Sequence, residues 1–173
     1  MRNEACIEFP ADQTTITQRY ANEGIDFISE SVKQESPFSL YLANSMPHTP
    51  LFASPDFNGK SQRGLYGGVI EEIDYNVGRI LDHLKQLNIE DNTLVILLSD
   101  NGPWLIKGEN GGSALPLFEG KMAHFEGGQR VPATIKWPGH VPAGSVCTWS
   151  RFQWICFRPS LISSAPVYPP PCP

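Results

Sequence analysis

The sequence has no long apolar run, no excess of basic residues and no closely spaced cysteines. No apolar segment approaches the roughly 20 residues that cross a bilayer, and the first 13 residues lack the apolar core of a secretory signal. A net charge of −5 argues against a nucleic-acid-binding protein, which would normally carry a basic patch. The four cysteines, at positions 6, 147, 156 and 172, lack CxxC spacing, so neither a zinc site nor a redox motif is predicted, and the compartment stays open.

Apolar residues make up 40% of the chain, which suits one globular domain. Helical spacing predicts helices from about Thr14 to Lys33, capped by a threonine, and from about Leu65 to Leu87. Short strand-like runs lie at Pro37–Ala43, at Leu94–Leu98 and within VPATIKWPG. The Leu94–Leu98 run is continuously apolar, as is typical of a parallel strand that helices cover on both faces. This order of elements predicts an α/β fold.

The strand predicted at Leu94–Leu98 is followed by Asp100, Asn101 and a glycine. In open α/β sheets, ligands bind beyond the carboxyl ends of the strands. Carboxylate and amide oxygens are the ligands that Ca²⁺ prefers, but two fall short of the usual shell of about 6–8. Since these residue types also favour ordinary turns, the residues alone leave a metal site and a turn both open.

Two further residues are candidates for binding an anion. His48, in MPHTP, follows a predicted strand and is held between two prolines, which restrict the backbone. A histidine there suits proton donation, although a surface-loop histidine is the plainer alternative. Lys121 lies in the glycine-rich stretch from Gly102 to Gly128, where a lysine can hold sulfate or phosphate or can simply be solvated.

Four segments together resemble the sulfatase family, particularly arylsulfatases, in order from about Arg2 to Val146: PFSLYLANSMPHTPLFAS, GLYGGVIEEIDYNVGRIL, TLVILLSDNGPW and GKMAHFEGGQRVPATIKWPG. The resemblance implies part of an alkaline-phosphatase-like α/β sandwich, with a mostly parallel sheet covered by helices. It implies a sulfuric ester hydrolase that uses Ca²⁺ and a formylglycine made from cysteine. The expected substrate is a sulfate-ester small molecule or glycan.

The resemblance also implies roles for the four candidate residues. Asp100 and Asn101 match a calcium-ligating pair. His48 matches a histidine at the leaving-group side of the sulfate ester, and Lys121 matches a sulfate-binding lysine. On this basis we expect Asp100 and Asn101 to be metal ligands, and His48 and Lys121 to be catalytic and substrate-binding residues.

One departure from the family pattern concerns the nucleophile. Family members carry a paired aspartate motif and a Cys-x-Pro-Ser-Arg motif upstream of the matching region, so we expect that this chain is truncated at its N-terminus and inactive alone. The segment CTWSR, from Cys147 to Arg151, has the cysteine, serine and arginine of that motif. Its tryptophan replaces the proline and its position is wrong, so we interpret it as coincidence.

A second departure concerns residues 147–173, which we expect to form an irregular tail after a partial catalytic domain at residues 1–146. Family members continue with a stretch resembling Ser-Met-Asp-Leu-Phe-Pro-Thr-Leu. Phe152 to Leu161, written as codons and read from the third base of the Phe152 codon, permits that stretch at every step and forces its aspartate. We therefore hypothesise a frame-shifted tail, in which Cys147, Cys156 and Cys172 have no selected role.

Two alternatives to a sulfuric ester hydrolase remain open. One is a non-catalytic remnant or sulfate-binding fragment. The other is a phosphoesterase of the same superfamily, for which additional Asp and His metal ligands would be expected and only four histidines exist.

Overall fold

The computed structural model describes residues 4–146 and contains two long helices and two short strands. The long helices are α1 (Ile16–Lys33) and α2 (Gly64–Gln86), and a single turn forms α3 (Glu126–Gln129). The strands are β1 (Val95–Leu98) and β2 (Ala133–Lys136). Three 3₁₀ helices complete the regular structure, at Gln13–Thr15, Glu90–Asn92 and Leu105–Asn110.

The described residues form two compact units. We call residues 4–90 and 104–113 the helical unit, and residues 91–103 and 114–146 the strand unit. The predictions of both long helices, of a strand at Leu94–Leu98 and of a strand within VPATIKWPG are confirmed. No helix in the described part of the chain is long and apolar enough to span a membrane.

In the helical unit, α1 packs against α2 through the apolar faces that the sequence periodicity predicts. Ala21 and Ile28 of α1 are buried, as are Val69 and Leu84 of α2. Polar contacts between the two helices add to this packing. Ser29 Oγ lies 2.7 Å from His83 Nε2, and Arg79 donates to the amide oxygen of Asn22 at 2.7 Å.

The start of α1 differs from the prediction of a threonine cap. Thr15 precedes the helix but makes no side-chain capping hydrogen bond. Asp12 performs this role one turn earlier, since its carboxylate accepts the backbone N–H of Thr14 at 3.0 Å and the hydroxyl of Thr14 at 2.7 Å. A carboxylate can satisfy an unpaired backbone N–H at the start of a helix as well as a hydroxyl can, and the local sequence offered both.

A second apolar cluster joins the loop that carries His48 to α2. Met46, Leu51 and Ala53 of this loop are buried together with Val69 of α2. Burying each larger side chain of this kind contributes about 1.5–3 kcal/mol. Partly buried residues extend the cluster: Phe52, Phe57, Leu65, Tyr66 and Ile73. The loop that carries His48 is therefore anchored to α2 from both sides of the histidine.

The strand unit corrects the expectation of a mostly parallel sheet covered by helices. β1 and β2 pair antiparallel, with Val95 opposite Lys136 and Leu98 opposite Ala133. Ile96, Leu97 and Ile135 are 37%, 45% and 50% exposed, so the described residues do not cover both faces of this pair. An apolar run indicates that a strand has surfaces to bury, but it carries no information on the direction of its partner.

The strand expected at Pro37–Ala43 is also absent from the described structure, where these residues have no regular secondary structure. Leu40 and Leu42 instead lie against α1. A Cβ added to Gly24 of this helix would lie 3.4 Å from a methyl group of Leu40 and 3.9 Å from one of Leu42. A strand is defined by its hydrogen bonds to a neighbouring backbone, and a local apolar pattern does not supply that partner.

Candidate functional site

His48 lies in an ordered turn of the helical unit. Its backbone N–H donates to the carbonyl of Ser45 at 3.1 Å, and its ring Nδ1 lies 2.8 Å from the carbonyl oxygen of Thr49. Because a carbonyl can only accept, Nδ1 carries the proton in this arrangement, and Nε2 is the ring nitrogen available for other contacts. His48 is exposed, so a protonated ring can donate from Nε2 to a bound group.

The carboxylate of Glu72 fixes the far end of the same loop. Glu72 lies on α2 and is only 2% exposed, and its Oε2 accepts the backbone N–H of Ser54 at 2.8 Å. The amide of Asn76 donates to the carbonyl of Glu72 at 2.8 Å, and its oxygen accepts from Arg79 at 2.9 Å. A buried carboxylate is costly unless it is hydrogen-bonded, so this contact orders both the acid and the loop.

Asp100 and Asn101 follow β1 directly in the strand unit, as the sequence predicts. The hydroxyl of Ser99 donates to the carbonyl of Asn101 at 2.9 Å, and the backbone N–H of Gly102 donates to the carbonyl of Gly128 at 2.9 Å. Asp100 is exposed and Asn101 is half-buried. The turn and the metal site were separate interpretations of this stretch, but an ordered turn at a strand end can also present oxygen donors.

Lys121 belongs to the same unit as Asp100 and Asn101. Its backbone N–H donates to the carbonyl of Pro103 at 2.8 Å, which ties the lysine segment to the chain that follows Asn101. Glu119 and Met122 flank it with φ of 63° and 74°. Non-glycine residues in this region are uncommon and cost of order 1–3 kcal/mol, and they are often found at binding sites.

Gly102 allows the closest backbone approach in this unit. A Cβ at Gly102 would collide with the carbonyl oxygen of Gly127, and it would lie 3.0 Å from the Cα of Gly128. The glycine-rich stretch is therefore required by packing, because its backbones lie in contact where side chains would separate them. Of the four candidate residues, the structure brings Asp100, Asn101 and Lys121 into one unit, and His48 belongs to the helical unit.

The donor set at Asp100 and Asn101 fits calcium in type and supplies part of a shell. Both side chains offer hard oxygen donors, which Ca²⁺ prefers over nitrogen and sulfur. Within residues 4–146, no group of three or more His, Cys, Asp or Glu side chains is arranged to hold a metal ion. These two residues could therefore hold calcium only together with further ligands.

The structure also reveals two residues that the sequence reasoning missed, Trp104 beside His48 and Lys107 beside Trp104. The ring centroids of His48 and Trp104 are 5.9 Å apart at a tilt of 44°. Lys107 Nζ lies 4.4 Å from the centroid of the Trp104 ring. The spacing of three residues between Trp104 and Lys107 was a usable signal for their contact, but nothing in the sequence placed Trp104 beside His48.

With the geometry described, comparison with known proteins identifies the family. The family model named Sulfatase matches residues 3–155. The chain belongs to the sulfatase family. This confirms the family resemblance that the sequence motifs carried, and sulfatases are in general metal-dependent enzymes.

The sulfatase chain is similar to several characterised relatives. It is 47% identical to the N-acetylgalactosamine-6-sulfatase of Mus musculus over 144 residues, which cover 80% of this chain and 28% of the relative. It is 40% identical to the Steryl-sulfatase of Homo sapiens over 149 residues, covering 83% of this chain and 25% of the relative. The chain therefore spans about a quarter of the length of these relatives.

A solved structure supports the same family at the level of the fold. The crystal structure of Ps i-CgsB in complex with k-i-k-neocarrahexaose matches with a TM-score of 0.66 and 40% identity, covering 75% of this chain and 29% of that one. The described residues are thus a partial α/β fragment of a sulfatase, with a small antiparallel strand pair.

Proposed function

We propose that this chain contributes the calcium pair, the sulfate-binding lysine and the leaving-group histidine of a sulfuric ester hydrolase. Within it, residues 1–146 form a partial catalytic domain. The observation that carries the proposal is the backbone tie between Lys121 and Pro103, which keeps the lysine segment beside the chain that leaves Asn101. A lysine and two oxygen donors in one unit suit the binding of a negatively charged group. The lysine would contact that group directly, and a metal ion held by the oxygen donors would contact it as well.

The residues then have distinct roles in hydrolysis. Asp100 and Asn101 would hold calcium, which when bound neutralises charge on the sulfuryl oxygens. Lys121 pairs with the sulfate as a compact point charge. By the family resemblance, a hydroxyl of the formylglycine hydrate would form the new bond to sulfur as the bond between sulfur and the bridging oxygen breaks. His48, protonated on both ring nitrogens, donates its Nε2 proton to the bridging oxygen, which leaves as an alcohol or phenol. In that form the Nδ1–H keeps its contact with the Thr49 carbonyl, which orients the ring, and the Nε2–H is the proton that is given up.

The finer substrate type is part of the proposal. The sequence motifs favour the arylsulfatase type, in which the leaving oxygen belongs to a phenol. A relative named for a sulfated sugar and a neighbouring structure that holds a carrahexaose favour a carbohydrate hydroxyl instead. Both leaving groups need the same protonation at the bridging oxygen, so the roles of His48 and Lys121 are the same for either.

A segment exchange tests the proposal directly. The aligned 144-residue segment of mouse N-acetylgalactosamine-6-sulfatase is replaced by the corresponding residues of this chain, and sulfate release from N-acetylgalactosamine 6-sulfate and from 4-nitrophenyl sulfate is measured. We expect activity on at least one substrate. Substituting His48→Ala or Lys121→Ala in the exchanged segment should lower kcat/KM by about 100-fold or more.

The matched control is Lys85→Ala, because Lys85 is an exposed lysine at the end of α2. This variant should keep the activity of the unsubstituted chimera. A folded chimera whose His48→Ala and Lys121→Ala variants hydrolyse sulfate esters as fast as the control would contradict the assigned roles.

A second candidate function is sulfate binding without catalysis. The observation that favours it is that the 173 residues contain no Cys-x-Pro-Ser-Arg motif, from which the family's nucleophile is made. A chimera that binds sulfate with the calcium pair and Lys121 intact, but releases none from either substrate, would support this candidate over the first.

A further inference from the structure

Trp104 connects the candidate histidine to a lysine, Lys107, in the helical unit. The centroids of the Trp104 and His48 rings are 5.9 Å apart, and Lys107 Nζ lies 4.4 Å from the centroid of the Trp104 ring. The 3₁₀ helix Leu105–Asn110 fixes this spacing, since the backbone N–H of Lys107 donates to the carbonyl of Trp104 at 3.0 Å. The lysine is therefore held relative to the indole by backbone and side-chain contacts together.

The partner of Lys107 matters for what the lysine can bind. A carboxylate partner would neutralise the ammonium, whereas an aromatic face attracts it without cancelling its charge. Among the residues that the structure describes, the recorded contact of Lys107 is this cation–π contact. Lys107 is exposed, so its remaining N–H donors face solvent where an anionic group could replace water.

We propose that Lys107 is a specificity-determining residue that binds a second anionic group on the leaving-group side of the sulfate ester, with Trp104 as its positioning residue beside His48. The proposal rests on the proposed function, because it takes His48 as the residue at the bridging oxygen. It goes beyond that function in assigning a second charge requirement to the substrate. The preferred substrate class is a sulfate ester whose leaving group carries its own carboxylate or sulfate.

Trp104 has a separate and testable part in this arrangement. It contacts both the Lys107 ammonium and the His48 ring, so its removal would free the Lys107 side chain and alter the surroundings of the His48 ring. An aromatic residue of similar shape would keep both contacts, whereas an aliphatic one would keep only the packing. Rescue by phenylalanine but not by leucine therefore separates positioning through the ring face from a general structural role.

The test uses the full 173-residue chain and two matched ligands. 4-Carboxyphenyl sulfate carries a second negative charge, and 4-carbamoylphenyl sulfate has the same shape without it. Binding of each is followed by NMR from the ring signals of His48 and the indole N–H of Trp104, which give separate dissociation constants. We expect the carboxylate ligand to bind roughly threefold to fivefold more tightly, the size of one partly exposed ion pair.

Four variants complete the design. Lys107→Gln should abolish the preference, Lys85→Gln should retain it, and Trp104→Leu should reduce it while Trp104→Phe restores it. Raising the salt concentration should also reduce the preference, because an exposed charge pair is screened.

The outcomes are decisive for the inference. A preference that survives in Lys107→Gln, equal affinity for the two ligands, or the absence of any ligand-induced shift at His48 and Trp104 would each overturn it. The proposed function is judged separately by sulfate release from the chimera. A chimera that is active and depends on His48, combined with ligands that bind without preference, would reject the inference alone.

Discussion

The buried carboxylate of Glu72 accepts the backbone N–H of Ser54 at 2.8 Å and thereby joins α2 to the loop that carries His48. The contact spans 18 positions of sequence, and the side chain that makes it is only 2% exposed. Together with the buried Met46 and Leu51 on either side of His48, it explains how a loop with a solvent-exposed histidine can be ordered. The histidine is held by its neighbours, while Nε2 of its ring is left available for other contacts.

Substituting Glu72→Ala should destabilise the chain by about 1–3 kcal/mol, because it leaves the Ser54 N–H without its acceptor. Glu72→Gln should cost less, since its amide oxygen can still accept that hydrogen bond. Unfolding by urea gives the free energies, and hydrogen exchange at Ser54 reports the local contact. Equal stability of the alanine and glutamine variants would show that the hydrogen bond does not hold this loop.

Gly102→Ala should destabilise the strand unit by about 1–3 kcal/mol, because the added methyl group meets the backbone of Gly127 and forces the two segments apart. Gly78→Ala is the matched control. A Cβ at Gly78 meets nothing within 4 Å, so this change in α2 should stabilise the chain by about 0.4–1 kcal/mol. Thermal unfolding of both variants measures the effects, and a neutral Gly102→Ala would contradict the close approach.

Calcium binding to the 173-residue chain should be weak. Asp100 and Asn101 supply two side-chain donors of the about 6–8 oxygens in a calcium shell, so water must provide most of the rest. Isothermal titration should give a dissociation constant no tighter than about 10⁻⁴ M, as for low-affinity sites, and Asp100→Ala should abolish the heat. A submicromolar constant would count against the proposed ligand set.

The purified 173-residue chain should release no 4-nitrophenol from 4-nitrophenyl sulfate above the rate of buffer. In the family, the nucleophile that attacks sulfur is made from the cysteine of the Cys-x-Pro-Ser-Arg motif, and that motif is not in this sequence. The residues that position the ester and stabilise its charge have no effect without a nucleophile. The chimera serves as the positive control in the same assay. Turnover by the chain that disappears in Cys147→Ala would show that CTWSR supplies a nucleophile after all.

The ion pair between Glu8 and Arg19 should give the chain a small acid-sensitive contribution to stability. Arg19 donates to Glu8 at 2.5 Å and, with the Asp12 backbone N–H, holds the pKa of the Glu8 carboxyl below its ordinary value. Because the pKa of Glu8 is lower in the folded chain than in the unfolded chain, the ion pair stabilises the fold at pH values above the unfolded pKa. That contribution is lost as the pH falls through the folded pKa. NMR titration of Glu8 should show the lowered pKa, and Arg19→Gln should return it towards 4.5.

Much of the site could be predicted from the sequence because its signals are local. Periodic apolar residues predicted α1 and α2, and a continuous apolar run ending in a polar turn predicted both β1 and the position of Asp100 and Asn101 at its end. Family motifs added expected roles for His48 and Lys121, which stay predictions here. The predictions for residues 147–173, including the frame-shifted tail and its cysteines, lie outside the described residues.

The parts that failed depend on partners distant in sequence. The direction of β1 and β2 and the missing strand at Pro37–Ala43 are set by which backbone lies alongside, and apolar periodicity does not encode that. The contacts of Glu72 with Ser54, and of Trp104 with His48, likewise join residues 18 and 56 positions apart.

The sequence by itself determined where the helices form, where the strand before Asp100 ends and which family the motifs resemble, because each of these follows from neighbouring residues. Only the tertiary structure decided that a buried glutamate anchors the histidine loop and that one indole contacts both the His48 ring and the Lys107 ammonium. Burial and hydrogen bonding act through space, so side chains whose local context is unremarkable acquire a role only when the chain has folded around them.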